Sequence, residues 1–190
     1  MTENVHGLAE SVRNGVAVAM RRGGDMTGTT MEIVSDAVAA LHEEAGGSGS
    51  TTESIGDIAG GAVRGARSVG GNLAEASKGV VIGVLLGTRQ IGIEAAVTIS
   101  EISAAVIRSA AAVGGELGAA AAGLVEGAIL SARGMGVRAE DAVSAVAHGA
   151  LTAADEVGGA AVFAVHDALT RSIVGMKDAL REPVDRRRES

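Results

Sequence analysis

Four histidines, two acidic pairs, a glycine-rich stretch and an arginine triplet are the groupings in this 190-residue chain whose residue types could do chemistry. The histidines are His6, His42, His148 and His166. On one continuous helix, His148 and His166 would stand about 27 Å apart, too far to share a metal ion. His42, beside Glu43 and Glu44, sits where a helix C-terminus favours a cation. Glu140-Asp141 and Asp155-Glu156 could attract a cation, but on a polar arc they read as solvated surface. Gly114-Gly115-Glu116-Leu117-Gly118 has the glycines of a phosphate loop. No Lys-Ser/Thr follows it and no strand pattern precedes it. Arg186, Arg187 and Arg188 stand between Asp185 and Glu189, and read as a solvated tail rather than a nucleic-acid or lipid contact. With no Cys, thiolate ligands, cysteine nucleophiles and disulfides are excluded. These features predict no catalytic residue, no metal site, no cofactor and no small-molecule substrate, and the chain reads as non-enzymatic.

The elements that would carry such residues are set by an unusual composition. Of the 190 residues, 29 are Gly and 37 are Ala, whereas Phe163 is the one aromatic residue and Pro183 the one proline. Near-absence of Pro and of a Gly-X-Y period excludes collagen. A hydrophobic content of 47% and a mean hydropathy of +0.31 oppose generic disorder. A single Phe cannot plug an aromatic core. A net charge of −7 argues against a nucleic-acid partner. No secretory signal pattern opens the chain. The longest uncharged apolar run, 79–88, is well short of the roughly 20 residues of a membrane span. A cytoplasmic location is expected, with peripheral attachment to a membrane or granule left open.

Residues 1–45 read as an N-terminal helical hairpin. Its first helix has Val5, Leu8, Val12, Val16 and Met20 at helical spacing and stops at Arg21-Arg22-Gly23-Gly24. Its second has Met31, Val34, Val38 and Leu41 on one face, with Thr29 and Glu32 spaced as a capping box. Residues 46–50 (GGSGS) read as a linker, and Ser50 with Glu53 as a second capping box. Residues 51–180 form the repeat region, and 181–190 a disordered tail ended from the helix by Pro183.

The repeat is anchored on Val69-Gly70, Ile91-Gly92, Val113-Gly114, Met135-Gly136 and Val157-Gly158, each 22 residues after the last. Halving the step gives Ile58, Val69, Val80, Ile91, Ile102, Val113, Leu124, Met135, Val146, Val157 and Ala168. A small column keeps the same phase, including Gly65, Ala76, Gly87, Ala120 and Ala142. Eleven residues make about three helical turns. The columns of Ile55, Ile58, Ala59, Ala62 and Val63 then form one broad apolar face. Phe163 falls in a polar-arc column with Leu86, Val97, Leu130 and Val174.

Between Gly56 and Gly175 lie 21 glycines, which together oppose an isolated helix by on the order of 20 kcal/mol. Close helix packing is what glycine permits in return. Gly65, Gly70, Gly79, Gly83, Gly87, Gly92, Gly114, Gly136 and Gly158, with the large apolar column, are therefore the expected helix-packing interface. The fold class is all-α: amphipathic 11-residue-repeat helices preceded by two short N-terminal helices. Two architectures stay open. One is a continuous 130-residue helix, about 195 Å long, paired with copies of itself. The other folds back at the GG pairs Gly70-Gly71, Gly114-Gly115 and Gly158-Gly159, which lie 44 residues apart. Unbroken phase favours the first and the GG spacing the second. Residues 56–92 carry four bases and two acids, against three and nine in 93–167, so antiparallel copies would attract.

Residues 151–170 (LTAADEVGGAAVFAVHDALT), with 173–177 (IVGMK) and Glu182-Pro183, resemble the C-terminal units of Gly/Ala-rich, 22-residue-repeat helical proteins from uncharacterised bacterial open reading frames. The resemblance spans residues 51–184 and implies no activity. The repeat is also similar to apolipoprotein, perilipin and late-embryogenesis-abundant repeats, which carry more charge and less Gly. The expected role is a structural or interaction protein that self-associates into a homo-oligomer through Gly/Ala packing. The alternatives are a peripheral lipid- or granule-surface protein, with the run from Val80 to Leu86 inserted most deeply, and a stress protectant.

Overall fold

The structure, a computed structural model, describes residues 2–45, 51–89 and 95–181. The expected linker at 46–50, Ser50, Ile91, Gly92 and the tail from 182 onward lie outside the described residues. The described residues form eight helices and no strand. They are α1 Thr2–Arg21, α2 Met26–Ala45, α3 Thr51–Ser68, α4 Leu73–Arg89, α5 Ala95–Ala112, α6 Leu117–Met135, α7 Ala139–Val157 and α8 Gly159–Arg181.

Local chemistry explains where the helices start and stop. After α1, α3 and α5 the chain enters positive φ at Gly23 (+85°), Gly70 (+71°) and Gly114 (+61°). A β-carbon would strain that conformation, and glycine carries none. The following glycine returns its N–H to the helix: Gly24 to the Ala19 carbonyl at 3.1 Å, Gly71 to Ala66 at 2.9 Å and Gly115 to Ala110 at 2.8 Å. These bonds occupy carbonyls that the helix end leaves open. Gly158, at φ +132°, turns the chain differently, and its N–H bonds to the Ala154 carbonyl. The long continuous helix is therefore excluded by the backbone path. The chain turns at Gly70-Gly71, Gly114-Gly115 and Gly158-Gly159, because the first glycine of each adopts a conformation that a running α-helix cannot contain.

The start of α2 also differs from expectation. Asp25, not Thr29, caps it: the Gly28 N–H donates to Asp25 Oδ2 at 2.6 Å. A carboxylate suits the positive end of the helix dipole better than a hydroxyl, so α2 begins nearly a turn earlier. Asn72 does the same for α4, accepting from the Ala74 N–H at 2.9 Å.

Odd and even helices form separate layers. In one, α1 packs on α3, α3 on α5 and α5 on α7; in the other, α2 packs on α4, α4 on α6 and α6 on α8. Neighbours in sequence also touch across the layers. Each helical hairpin thus stacks on the preceding one, in the manner of a solenoid of repeats. The α1–α2 hairpin takes part as the first unit of the stack. Turns 44 residues apart, at Gly70, Gly114 and Gly158, set the repeat.

The core lies between the layers and is aliphatic. Ile58, Val80, Ile102, Leu124 and Val146 have no exposed surface, and the face of Ile55, Ala59, Ala62 and Val63 is equally buried. The alternate members Val69 and Val113 are half-buried beside the turns, and Val157 is exposed. With Ala168, also buried, six members thus mark six successive helices, one every 22 residues. Phe163 lies outside the core.

Small residues decide how closely the repeats stack. A β-carbon at Gly149 would collide with the Ser100 carbonyl, one at Gly123 with Ala74, and one at Gly61 with Ala9. At Gly79 it would come within 2.6 Å of the Thr27 carbonyl oxygen and 2.8 Å of Thr30 Cβ. In α1 and α8, by contrast, Gly7 and Gly175 have nothing within 4 Å of that point. Gly79→Ala is therefore expected to lower unfolding stability by about 1–3 kcal/mol. Gly7→Ala should raise it by about 0.5–1 kcal/mol, since a better helix former enters open space. Urea unfolding followed by circular dichroism measures both.

Candidate functional site

The expected packing residues fall into two groups with different jobs. Gly65, Gly79, Gly83 and Gly87 face the preceding repeat, where backbone or Cβ atoms of Arg13, Thr27, Met31 and Val38 occupy the space of a side chain. Gly70, Gly114, Gly136 and Gly158 are turn residues with positive φ. Of the apolar column, Val80, Ile102, Leu124 and Val146 are buried, and Val69, Val113 and Val157 border turns. Met135 ends α6, and its side chain lies outside the described set. These contacts run between repeats of one chain.

The chemistry-bearing groupings resolve into surface features. His6, His148 and His166 are exposed and His42 is half-buried. Because the chain reverses at Gly158, the separation of His148 and His166 along a continuous helix does not apply. Among the described residues no three His, Cys, Asp or Glu side chains gather as a metal site would require. Both acidic pairs meet arginine. Glu140 pairs with Arg138 at 2.9 Å, and this hydrogen bond, with the nearby charges of Glu140 and Asp141, holds the Arg138 guanidinium above its ordinary range. Glu156 reaches across the stack to Arg108 at 2.8 Å. The stretch from Gly114 to Gly118 is a helix-ending turn followed by the start of α6.

Two cross-repeat ion pairs share one geometry. Lys78 on α4 pairs with Glu126 on α6 at 3.2 Å, and Arg108 on α5 with Glu156 on α7 at 2.8 Å. Partners in both are 48 residues apart. That is one 44-residue repeat plus about one helical turn, the spacing of side chains on adjacent parallel helices.

Two surface features stand out. On the even layer, Leu86, Leu130 and Val174 are 43%, 52% and 52% exposed. They lie 44 residues apart on α4, α6 and α8, and so form a row across the stack. Phe163, 75% exposed, stands on α8 eleven residues before Val174, on the same side of that helix. On the odd layer, a cavity of about 520 Å³ between α1 and α3 is lined by Arg13, Arg21, Arg64 and Arg67. The 11-residue column of Phe163 already groups Leu86, Leu130 and Val174, but spreads them among other members, and no column relates the arginines of α1 to those of α3. Reading the sequence at a step of 44 would have picked out the row, while the arginines come together only once α1 and α3 are side by side.

No protein-family model matches the chain, and no curated protein sequence matches it. Among solved structures, the chain is similar to the crystal structure of the de novo designed helical repeat protein DHR7. The TM-score is 0.58 at 17% identity, covering 94% of this chain and 97% of the designed one. The likeness is one of fold, an all-α helical repeat. No helix among the described residues is long and apolar enough to cross a membrane.

Arg108 and Glu156 are each about half exposed, so their bond is expected to tie the stack only weakly. A double-mutant cycle with Arg108→Ala and Glu156→Ala should give a coupling of roughly 0.2–1 kcal/mol. It should shrink as salt rises. Thermal unfolding at low and high salt reads it.

Proposed function

We propose that this chain is a non-enzymatic structural or interaction protein of the cytoplasm that associates with a second copy of itself. In this reading the 11-residue phase is a device for stacking. Two 11-residue units carry the chain through one helix and one turn, so each helix arrives with its apolar face toward the core. The Gly and Ala surfaces are then consumed within the chain, and self-association needs another face.

The observation that supports one is the row of Leu86, Leu130 and Val174. Large aliphatic residues recurring at one position on the outside of three successive repeats make a regular apolar row rather than scattered exposure. Even spacing suits a two-fold axis. With Leu130 on the axis, Leu86 of one copy meets Val174 of the other, and the row covers itself.

The lipid-surface reading has less support. Of the run expected to insert, Val80, Val81, Val84 and Leu85 are buried in the stack, and only Leu86 is exposed. A protectant would be unfolded in dilute buffer, where the scaffold reading requires full helicity.

Sedimentation equilibrium tests the proposal. The wild-type chain is expected to dimerise at micromolar concentration. Leu130→Glu should be monomeric with unchanged helicity, because the side chain is 52% exposed. A wild-type chain that stays monomeric up to high concentration would refute self-association.

A further inference from the structure

The cavity between α1 and α3 holds more positive charge than the chain itself answers. Four arginines line it: Arg13, Arg21, Arg64 and Arg67. Arg13 pairs with Glu10 on its own helix. Arg21, Arg64 and Arg67 take part in no ion pair among the described residues. Arg64 also borders the next groove, where Glu53, Asp57 and Glu101 stand, yet none of them forms an ion pair with it. The chain has 23 acidic residues against 16 Lys and Arg, so a shortage of acid is not the cause.

The repeat shows where a partner would have stood. Arg108, 44 residues after Arg64, is neutralised by Glu156, 48 residues further on. The position 48 residues after Arg64 is Ala112, at the end of α5. By the same count, the position 48 residues after Arg67 is Gly115. Small residues without charge therefore stand where the repeat would place acidic partners for Arg64 and Arg67. Its floor includes Ala17 and Val113, and its rim Asn14. Asn14 accepts from Arg13 through Oδ1 at 3.4 Å, which leaves its amide N–H groups to donate.

We propose that this cavity binds a small polyvalent oxyanion of the phosphate class, from either a free organic phosphate or a phospholipid headgroup. Guanidinium forks match phosphate oxygens two at a time. Several converging arginines require an anion with more than one charge. The carbonyl ends of α1 and α3 favour the arginines, and the guanidinium charges have to outweigh the repulsion of those ends for an anion. A volume of about 520 Å³ suits a small molecule. This site lies on the odd layer, away from the row on the even layer, and stands or falls independently of self-association.

Calorimetric titration with inorganic pyrophosphate at low salt tests the proposal. The full-length protein should bind one pyrophosphate per chain. Arg21→Gln with Arg67→Gln, both at exposed positions, should weaken it at least tenfold while circular dichroism stays unchanged. Arg138→Gln, far along the chain and paired with Glu140, removes the same kind of charge and should leave binding intact. Flotation with phosphatidylinositol-phosphate vesicles, against phosphatidylcholine alone, then assigns the source. Retention that pyrophosphate competes away indicates a headgroup, and no retention indicates a free phosphate. Absence of pyrophosphate binding would overturn the proposal. So would equal weakening by Arg138→Gln, or capture of an acid-rich peptide in preference to pyrophosphate.

Discussion

Backbone carbonyls of one repeat lie where β-carbons of the next would otherwise be, and the rest of the fold depends on that approach. At Gly127 the added atom would come within 2.8 Å of the Lys78 carbonyl oxygen, and at Gly83 within 2.5 Å of that of Met31. Helices this close leave little volume between them, so the core is filled by Val, Ile, Leu and Ala. The same closeness accounts for the aromatic deficit. A ring between such backbones would push the layers apart, and Phe163 is accordingly outside. Glycine lowers the intrinsic helix propensity of every helix that carries it. Stacking compensates, and the helices are stable as a set rather than singly.

The approach also has a register. Gly123, Gly127 and Gly149 meet residues 49 positions earlier, whereas Gly61, Gly65, Gly79 and Gly83 meet residues 52 earlier. The difference of three matches the longer first step, since Gly23 and Gly70 are 47 residues apart and later turns 44. The offset between stacked helices is thus preserved while the connection changes length. Position within the repeat, more than position in the chain, determines what each residue touches. Ion pairs, turns and the exposed row all follow the same count.

Much of this was legible in the sequence, for identifiable reasons. The apolar phase marks Ile58, Val80, Ile102, Leu124 and Val146 because burial demands a large side chain at one place per helix. Arginine followed by paired glycines marks the end of α1. The identity of the backbone each glycine meets was not legible. A residue without a side chain announces that something comes close and says nothing of what. The choice between one long helix and a stack of short ones hung on that point, and it stays open in the sequence because the phase survives the turns while the GG pairs recur every 44 residues. Capping by Asp25 was overlooked because Thr29 and Glu32 form a familiar pattern one turn later. The column of Phe163 lists the members of the exposed row, but the spatial adjacency behind both surface features was not legible. Arg21 and Arg67, or Leu86 and Leu130, are neighbours only after the stacking register is known.

The central claim is that small residues stack the chain upon itself. A distance within one chain tests it most directly, and the absence of cysteine makes the labelling simple. Spin labels would replace Glu75 on α4 and Phe163 on α8, both exposed, with labelled protein diluted into unlabelled. Two steps between neighbouring helices of a layer predict a separation of about 20 Å by double electron–electron resonance. A separation of about 130 Å, the length of 88 residues in a continuous helix, would leave no dipolar signal in that range and would contradict the account.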